Sequence, residues 1–160
     1  MKEIVVRVAD LSAATGDQVL VTIGLGSCVG IVLHDPVARV GGLAHVLLPS
    51  PALTRRDDSA GKVPQTAVPR LLEAMHQLGA SPRRITARLV GGASMFASLA
   101  APGTIQMGER NVVAARQVLT ANLLPIVGED VGGDYGRTVR LWTRDGRVEI
   151  SSVLHGRREL

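Results

Sequence analysis

Residues 29–48 read Val-Gly-Ile-Val-Leu-His-Asp-Pro-Val-Ala-Arg-Val-Gly-Gly-Leu-Ala-His-Val-Leu-Leu. Two apolar runs of strand length flank Asp35-Pro36-Val37-Ala38. Asp at the first position and Pro at the second suit a type I turn, so the segment predicts an antiparallel hairpin of strands 28–33 and 40–48. Closed at that turn, the hairpin sets Cys28 directly across from His45. Opposed residues share one sheet face, with Cβ atoms about 4.5–5.5 Å apart. A slip of one residue would send one of the two side chains to the other face.

That pairing has a chemical meaning. Cys28 is the only cysteine in the chain, and an imidazolium beside a thiol lowers its pKa and populates the thiolate nucleophile. Gly24 and Gly26 allow a bend that presents Cys28 at the sheet rim. The backbone N–H groups of Gly26, Ser27 and Val29 are then the expected oxyanion donors. The competing reading makes Cys28 a small buried hydrophobe, and the residues alone leave both open. Thr22 ends the preceding strand, where it is either an ordinary β-branched residue or a third group orienting His45. Gly91-Gly92-Ala93-Ser94 is either a tight turn or a set of backbone donors beside a substrate. Gly132-Gly133 before Asp134 reads the same way.

Elsewhere, strands are predicted over 4–8, 18–23, 85–90, 126–127, 138–143 and 147–153, the last two joined by the hairpin signal Asp145-Gly146. Residues 50–65 read as a long loop. A helix follows with Thr66 as N-cap and Gly79 as stop, and with Val68, Leu71, Leu72, Met75 and Leu78 on its apolar stripe. A second helix is capped by Asn111 and runs to about Leu123. About eight strands and two long helices, β-rich first and mixed later, predict an α+β fold. At 160 residues the chain is expected to be one domain, residues 1–160.

Several function classes drop out. Gly24-x-Gly26-x-x-x-Gly30 has the wrong spacing for a dinucleotide fingerprint and leads into a strand, not a helix. The cysteine and histidine elements of a zinc deaminase are absent, and His34, His45, His76 and His155 are dispersed, so neither a metal nor a cofactor is expected. The net charge is +4, yet Phe96, Tyr135 and Trp142 are the only aromatics. A surface for an acidic protein partner is therefore expected, not one for nucleic acid. A lone cysteine excludes an internal disulfide and fits a reducing compartment. The start lacks a signal peptide's apolar stretch, and no apolar run reaches the ~18 residues of a membrane span. A cytoplasmic protein without membrane insertion is expected.

Thr22-x-Gly24-Leu-Gly-Ser-Cys28-Val, Asp35-Pro-Val-Ala and Leu43-Ala-His45-Val-x-Leu-Pro49 strongly resemble CheD, the chemoreceptor glutamine deamidases of bacterial chemotaxis. The likeness continues through Gly91-Gly-Ala-Ser-Met-Phe96, Gly108-Glu-Arg-Asn111, Glu129-Asp-x-Gly-Gly133 and Gly136-Arg-Thr138. The resemblance implies Cys28 as nucleophile, His45 as general base and Thr22 as third catalytic residue. It implies a mixed β-sandwich flanked by helices, similar to the catalytic domain of the cytotoxic necrotizing factor toxins. The implied substrate is the helical cytoplasmic domain of a chemoreceptor, contacted around Gly91, Gly92, Ser94, Met95 and Phe96. Hydrolysis of receptor glutamate methyl esters is an implied side reaction. Some members bind CheC, a phosphatase of phosphorylated CheY, so the alternative function is a non-catalytic adaptor for that partner. One departure is Lys62-Val63-Pro64-Gln65, where relatives usually carry Lys-Tyr-Ala-Asp.

Overall fold

The computed structural model describes residues 1–54 and 59–160; Arg55 and Arg56, in the predicted loop, lie outside the described residues. Among the described residues ten strands form two five-stranded sheets. An outer sheet has the order β1 (Lys2–Val5), β3 (Gln18–Leu25), β8 (Arg137–Trp142), β9 (Val148–Ser152), β10 (Gly156–Glu159). An inner sheet runs β2 (Leu11–Thr15), β5 (Val40–Val46), β4 (Val29–Asp35), β6 (Thr86–Gly91), β7 (Ile126–Val131). Both sheets are mixed, since β1 lies parallel to β3 and β6 parallel to β7 while the other pairs are antiparallel. Helices α1 (Pro64–Gln77) and α2 (Met107–Ala121) pack on the inner sheet. The architecture is the expected α+β sandwich of two sheets flanked by helices.

The inner sheet carries two cores because it is covered on both faces. Every residue of β4 and β5 is buried, which accounts for their unbroken apolar runs. Val29, Ile31, Leu33, Ala44 and Val46 face the helices with Ala67, Val68, Leu71, Met75 and Leu119. Cys28, Val32 and Leu43 face the outer sheet with Leu20, Leu25, Val139 and Leu141. Glycines make the layers meet closely at β5. A Cβ on Gly42 would stand 2.8 Å from Leu71 and Met75 of α1, and one on Gly41 2.8 Å from Leu141 of β8.

Several boundaries differ from expectation. Strands β2 and β10 lie outside the expected set: β2, Leu-Ser-Ala-Ala-Thr, is short and rich in small residues of low strand propensity, and β10, Gly-Arg-Arg-Glu, is short, polar and exposed. Helix α1 begins at Pro64, ahead of the expected cap Thr66, because proline is preorganised for the first helical position. Thr66 instead donates to the carbonyls of Ala60 and Val63. Leu78, placed on the apolar stripe, lies past the helix and is exposed. Helix α2 begins four residues before Asn111, which is therefore no cap but a buried interior residue.

The β4–β5 turn is tied to the rest of the molecule through Asp35. Its carboxylate accepts from the amides of Val37, Ala38 and Ser81 and from the Arg84 guanidinium. Burial alone would raise the Asp35 pKa, but these hydrogen bonds outweigh it and hold the carboxyl at about 2. Asp35→Ala removes a buried acceptor shared by four half-buried or exposed donor residues and should destabilise the fold by about 2 kcal/mol in urea unfolding at neutral pH. Because the folded-state value is depressed, the Asp35 contribution is present above the ordinary carboxylate pKa of about 3.9 and is lost as pH falls through the folded value. The gap in urea midpoint between wild type and Asp35→Ala should accordingly narrow on acidification below pH 4. A gap that stays constant would show that the ionised carboxylate is not what stabilises the turn.

Candidate active site

The strand β3 carries Thr22 and ends at Leu25; the chain then turns through Gly26 and Ser27 to reach Cys28, one residue before β4. The hairpin register corrects the expected one. His45 pairs with Gly30 and Val29 with Val46, so Cys28 is not directly across from His45. The turn is wider than predicted: Asp35 pairs with Val40, and Arg39 takes a left-handed φ of 56° to close a four-residue loop. This slip of two positions keeps the face, because side chains alternate with period two. Cys28 and His45 thus remain on the surface that looks at the outer sheet, in a diagonal relation, and Gly30 places no side chain opposite the ring.

The sandwich brings Thr22 to His45 across the two sheets. Thr22 Oγ1 lies 2.6 Å from His45 Nδ1 and 2.6 Å from the carbonyl oxygen of Val6, and both side chains are fully buried. A hydroxyl has one hydrogen. The Val6 carbonyl can only accept, so the Thr22 proton goes there and Oγ1 must accept from Nδ1–H. His45 is therefore the Nδ1–H tautomer, and Nε2 carries a lone pair. Nε2 is buried and has no hydrogen-bond partner among the described residues. No hydrogen bond joins it to Cys28 Sγ in this structure.

Burial sets the charge states. It pushes the Cys28 thiol above its usual range, only partly opposed by the residue's own N–H. It also pushes the His45 imidazole below its usual range. The resting pair is thus a neutral thiol and a neutral imidazole, not the thiolate and imidazolium that direct pairing implied.

The segment leading to Cys28 is held at three consecutive carbonyls. The Gly26 carbonyl accepts from Ala93 N–H, that of Ser27 from Asn111 Nδ2, and that of Cys28 from Gly92 N–H. Of the expected oxyanion donors, Gly26 N–H is committed to the Gly24 carbonyl. Val29 is committed as well: the N–H and C=O of His45 bond to Asp10 and Ala9, so by strand alternation Val46 bonds to Val29. The N–H of Ser27 has no partner among the described residues, and that of Cys28 meets only its own Sγ. Asn111 was missing from any expected site. An asparagine at helical spacing from Ala115 and Val118 lies on a core stripe, where a polar side chain must find buried partners; that was the available signal.

Gly91 and Gly92 are buried and serve close packing. Gly91 has φ 106°, and a Cβ there would stand 2.4 Å from the Cys28 carbonyl oxygen. Ser94 is half-buried, with its N–H on the Gly133 carbonyl. Met95 and Phe96 are exposed, Phe96 to 72%. Met95 leans over Gly26 and, with Ile23, Gly24, Tyr135, Val153 and Leu154, lines an open cleft of 650 Å³ whose walls include neither Cys28 nor His45. Among the described residues no three His, Cys, Asp or Glu side chains are grouped to hold a metal ion.

The family model of CheD, described as chemotactic sensory transduction, matches residues 47–152. A protein of Caldanaerobacter subterraneus subsp. tengcongensis named probable chemoreceptor glutamine deamidase CheD is 43% identical over 94% of this chain and 93% of its own length. Proteins of the same name from Archaeoglobus fulgidus and Clostridium kluyveri are 46% and 40% identical, covering 92% and 100% of this chain and 92% and 99% of their own lengths. The chain belongs to the CheD family. The family-model match begins just after His45, and these relatives extend the likeness over nearly the whole chain. Among solved structures, a Neisseria meningitidis protein of family-model DUF152 aligns with a TM-score of 0.48 at 12% identity, over 84% of this chain and 63% of that chain, too slight a likeness to bear on the fold.

The charge states of this CheD-family site are open to titration. A buried, neutral Cys28 should react slowly with iodoacetamide at pH 7, and its alkylation rate should climb with pH to a midpoint above the ordinary thiol value of about 8.5. A rate already at its plateau below pH 7 would reveal a thiolate–imidazolium pair instead.

Proposed function

We propose that this protein deamidates specific glutamine side chains in the cytoplasmic helices of chemoreceptors, with Cys28 as nucleophile, His45 as general base and acid, and Thr22 as the residue that orients the ring. The observation that carries this reading is the unprotonated, unpartnered Nε2 of His45 on the same inter-sheet face as the only thiol. The relatives' printed name, at 40–46% identity along nearly their whole lengths, supports the substrate class.

Cys28 Sγ attacks the glutamine amide carbon while its proton passes to His45 Nε2, and the carbonyl π pair moves onto oxygen. Collapse of that oxyanion breaks the C–N bond. His45 returns the proton to the leaving nitrogen, and ammonia departs. Water then attacks the thioester as His45 removes its proton, the C–S bond breaks, and glutamate and thiol are released. Sγ and Nε2 close to hydrogen-bond distance in the substrate complex, as catalytic contacts that are long in free enzymes commonly do. The same thioester route would hydrolyse a glutamate methyl ester.

Met95 and Phe96, both exposed, with half-buried Ser94, are the proposed substrate-facing residues; Met95 also lines the open cleft. Among the described residues no helix is long and apolar enough to cross a membrane. A substrate in the receptor's cytoplasmic region places the protein in the cytoplasm. On the motif resemblance, residues 1–160 are proposed to act as one deamidase domain similar to the cytotoxic necrotizing factor catalytic domain.

Incubation with a recombinant receptor cytoplasmic fragment, followed by intact-mass analysis, tests the reading through the mass gain of amide-to-acid conversion. Cys28→Ala should show no conversion while unfolding at nearly the wild-type temperature; conversion near wild type would exclude the thiol mechanism. Thr22→Val deletes the hydroxyl alone, so stability should change by no more than about 1–2 kcal/mol. Its turnover should fall about tenfold or more, since each ~1.4 kcal/mol of lost transition-state stabilisation is a factor of ten. Equal turnover would reduce the site to a Cys–His dyad. Because burial lowers the His45 pKa, kcat/KM should hold constant as pH falls from neutrality and decline only below about 6.5.

A further inference from the structure

Asn111 sits in the second turn of α2, fully buried. Its Nδ2 donates one hydrogen bond to the carbonyl of Ser27 at 2.9 Å and another to that of Leu47 at 3.1 Å. Both partners are acceptors only, so the amide has one tenable orientation; flipped, Oδ1 would face two carbonyl oxygens. Oδ1 itself is buried with no partner among the described residues. Leaving such a group unsatisfied costs about 1–3 kcal/mol. The two carbonyls belong to the residue before Cys28 and to the second residue after His45.

A trans peptide unit is planar, with its C=O and N–H pointing in opposite directions. The carbonyl of Ser27 and the N–H of Cys28 are the two ends of one such unit. With the carbonyl drawn toward α2, on the helix side of the inner sheet, the Cys28 N–H is aimed away from α2, to the side where its sulfur lies. Among the described residues that N–H meets only its own Sγ.

We propose that Asn111 is a positioning residue for deamidation: by holding the Ser27 carbonyl it locks the Ser27–Cys28 peptide so that the Cys28 N–H donates to the oxyanion formed when Cys28 attacks an amide. This inference rests on Cys28 being the nucleophile. The second bond, to Leu47, ties the same amide to the strand that carries His45, so one side chain sets nucleophile segment and base strand relative to each other. Freed of Asn111, the peptide can rotate its carbonyl toward the reacting oxygen, and the donor is lost although the thiol remains.

The test separates oxyanion stabilisation from thiol reactivity. Alkylation by iodoacetamide displaces iodide at saturated carbon and forms no oxyanion, whereas deamidation requires one. Asn111→Leu, which keeps the volume and removes both donors, should lower kcat on the receptor fragment by about 10- to 100-fold, toward the loss seen when one oxyanion donor is deleted. KM and the Cys28 alkylation rate should each stay within about twofold of wild type. If Asn111→Leu does not fold, Asn111→Ser, too short to reach both carbonyls, is expected to give the same split. A kcat within twofold of wild type in a folded variant overturns the proposal, and so does a parallel fall in turnover and alkylation, which would mean general displacement of the segment. Cys28→Ala runs alongside: activity in that variant refutes the nucleophile itself, whereas an inactive Cys28→Ala with a fully active Asn111→Leu refutes only the role given to Asn111.

Discussion

The hydroxyl of Thr22 spans the gap between two sheets, and the chemistry available at the site depends on where its one hydrogen goes. Val6 offers a carbonyl and His45 a ring nitrogen, each 2.6 Å away. Only one of them can receive the proton. Giving it to His45 would leave a buried carbonyl without a donor; giving it to Val6 satisfies both contacts and fixes the imidazole with its free lone pair at Nε2. The backbone of His45 is equally constrained, its N–H and C=O engaged by Asp10 and Ala9. The ring therefore has one tautomer and one place.

Around that ring the nucleophile segment is shaped by its carbonyls. Ala93, Asn111 and Gly92 take the carbonyls of Gly26, Ser27 and Cys28 in turn. Glycine at 91 lets this loop approach the Cys28 backbone more closely than a Cβ would permit, and glycine at 92 does so against Val112 and Gly108 of α2. Gly108 at the start of α2 does the same against the carbonyls of Gly92 and Ala93. The result is a segment whose three carbonyls are all occupied, with the Ser27 N–H unpartnered among the described residues and the Cys28 N–H turned to its own sulfur. Burial raises the thiol pKa and lowers that of the imidazole, so both shifts favour the neutral forms. This differs from an ion-pair nucleophile, which is reactive before substrate arrives.

Much of this was legible from residues 22–49. The turn chemistry of Asp35-Pro36 correctly announced a hairpin, and the alternation of its strands put Cys28 and His45 on one face. The register was two positions off because Asp35 remains in the strand, held by four donor residues in two segments, Val37 with Ala38 and Ser81 with Arg84, the farthest 49 residues away. Nothing local encodes that. The tautomer was hidden for a similar reason: it depends on Val6, sixteen residues before Thr22 and just past the end of β1. Asn111 was misread as a helix cap because asparagine favours that position, while burial on the core stripe was the stronger constraint. Short strands such as β2 and β10 carry no periodic apolar signal, and pairing partners alone make them strands.

The claim on which the account rests is the protonation of a single ring. Nitrogen-15 spectroscopy of histidine-labelled protein at neutral pH, with His45→Gln used to assign the signal, reports which nitrogen of His45 is bonded to hydrogen. The account predicts a protonated Nδ1 and a bare Nε2, and loss of that preference in Thr22→Val. A His45 signal with hydrogen on Nε2, or an imidazolium at neutral pH, would contradict it.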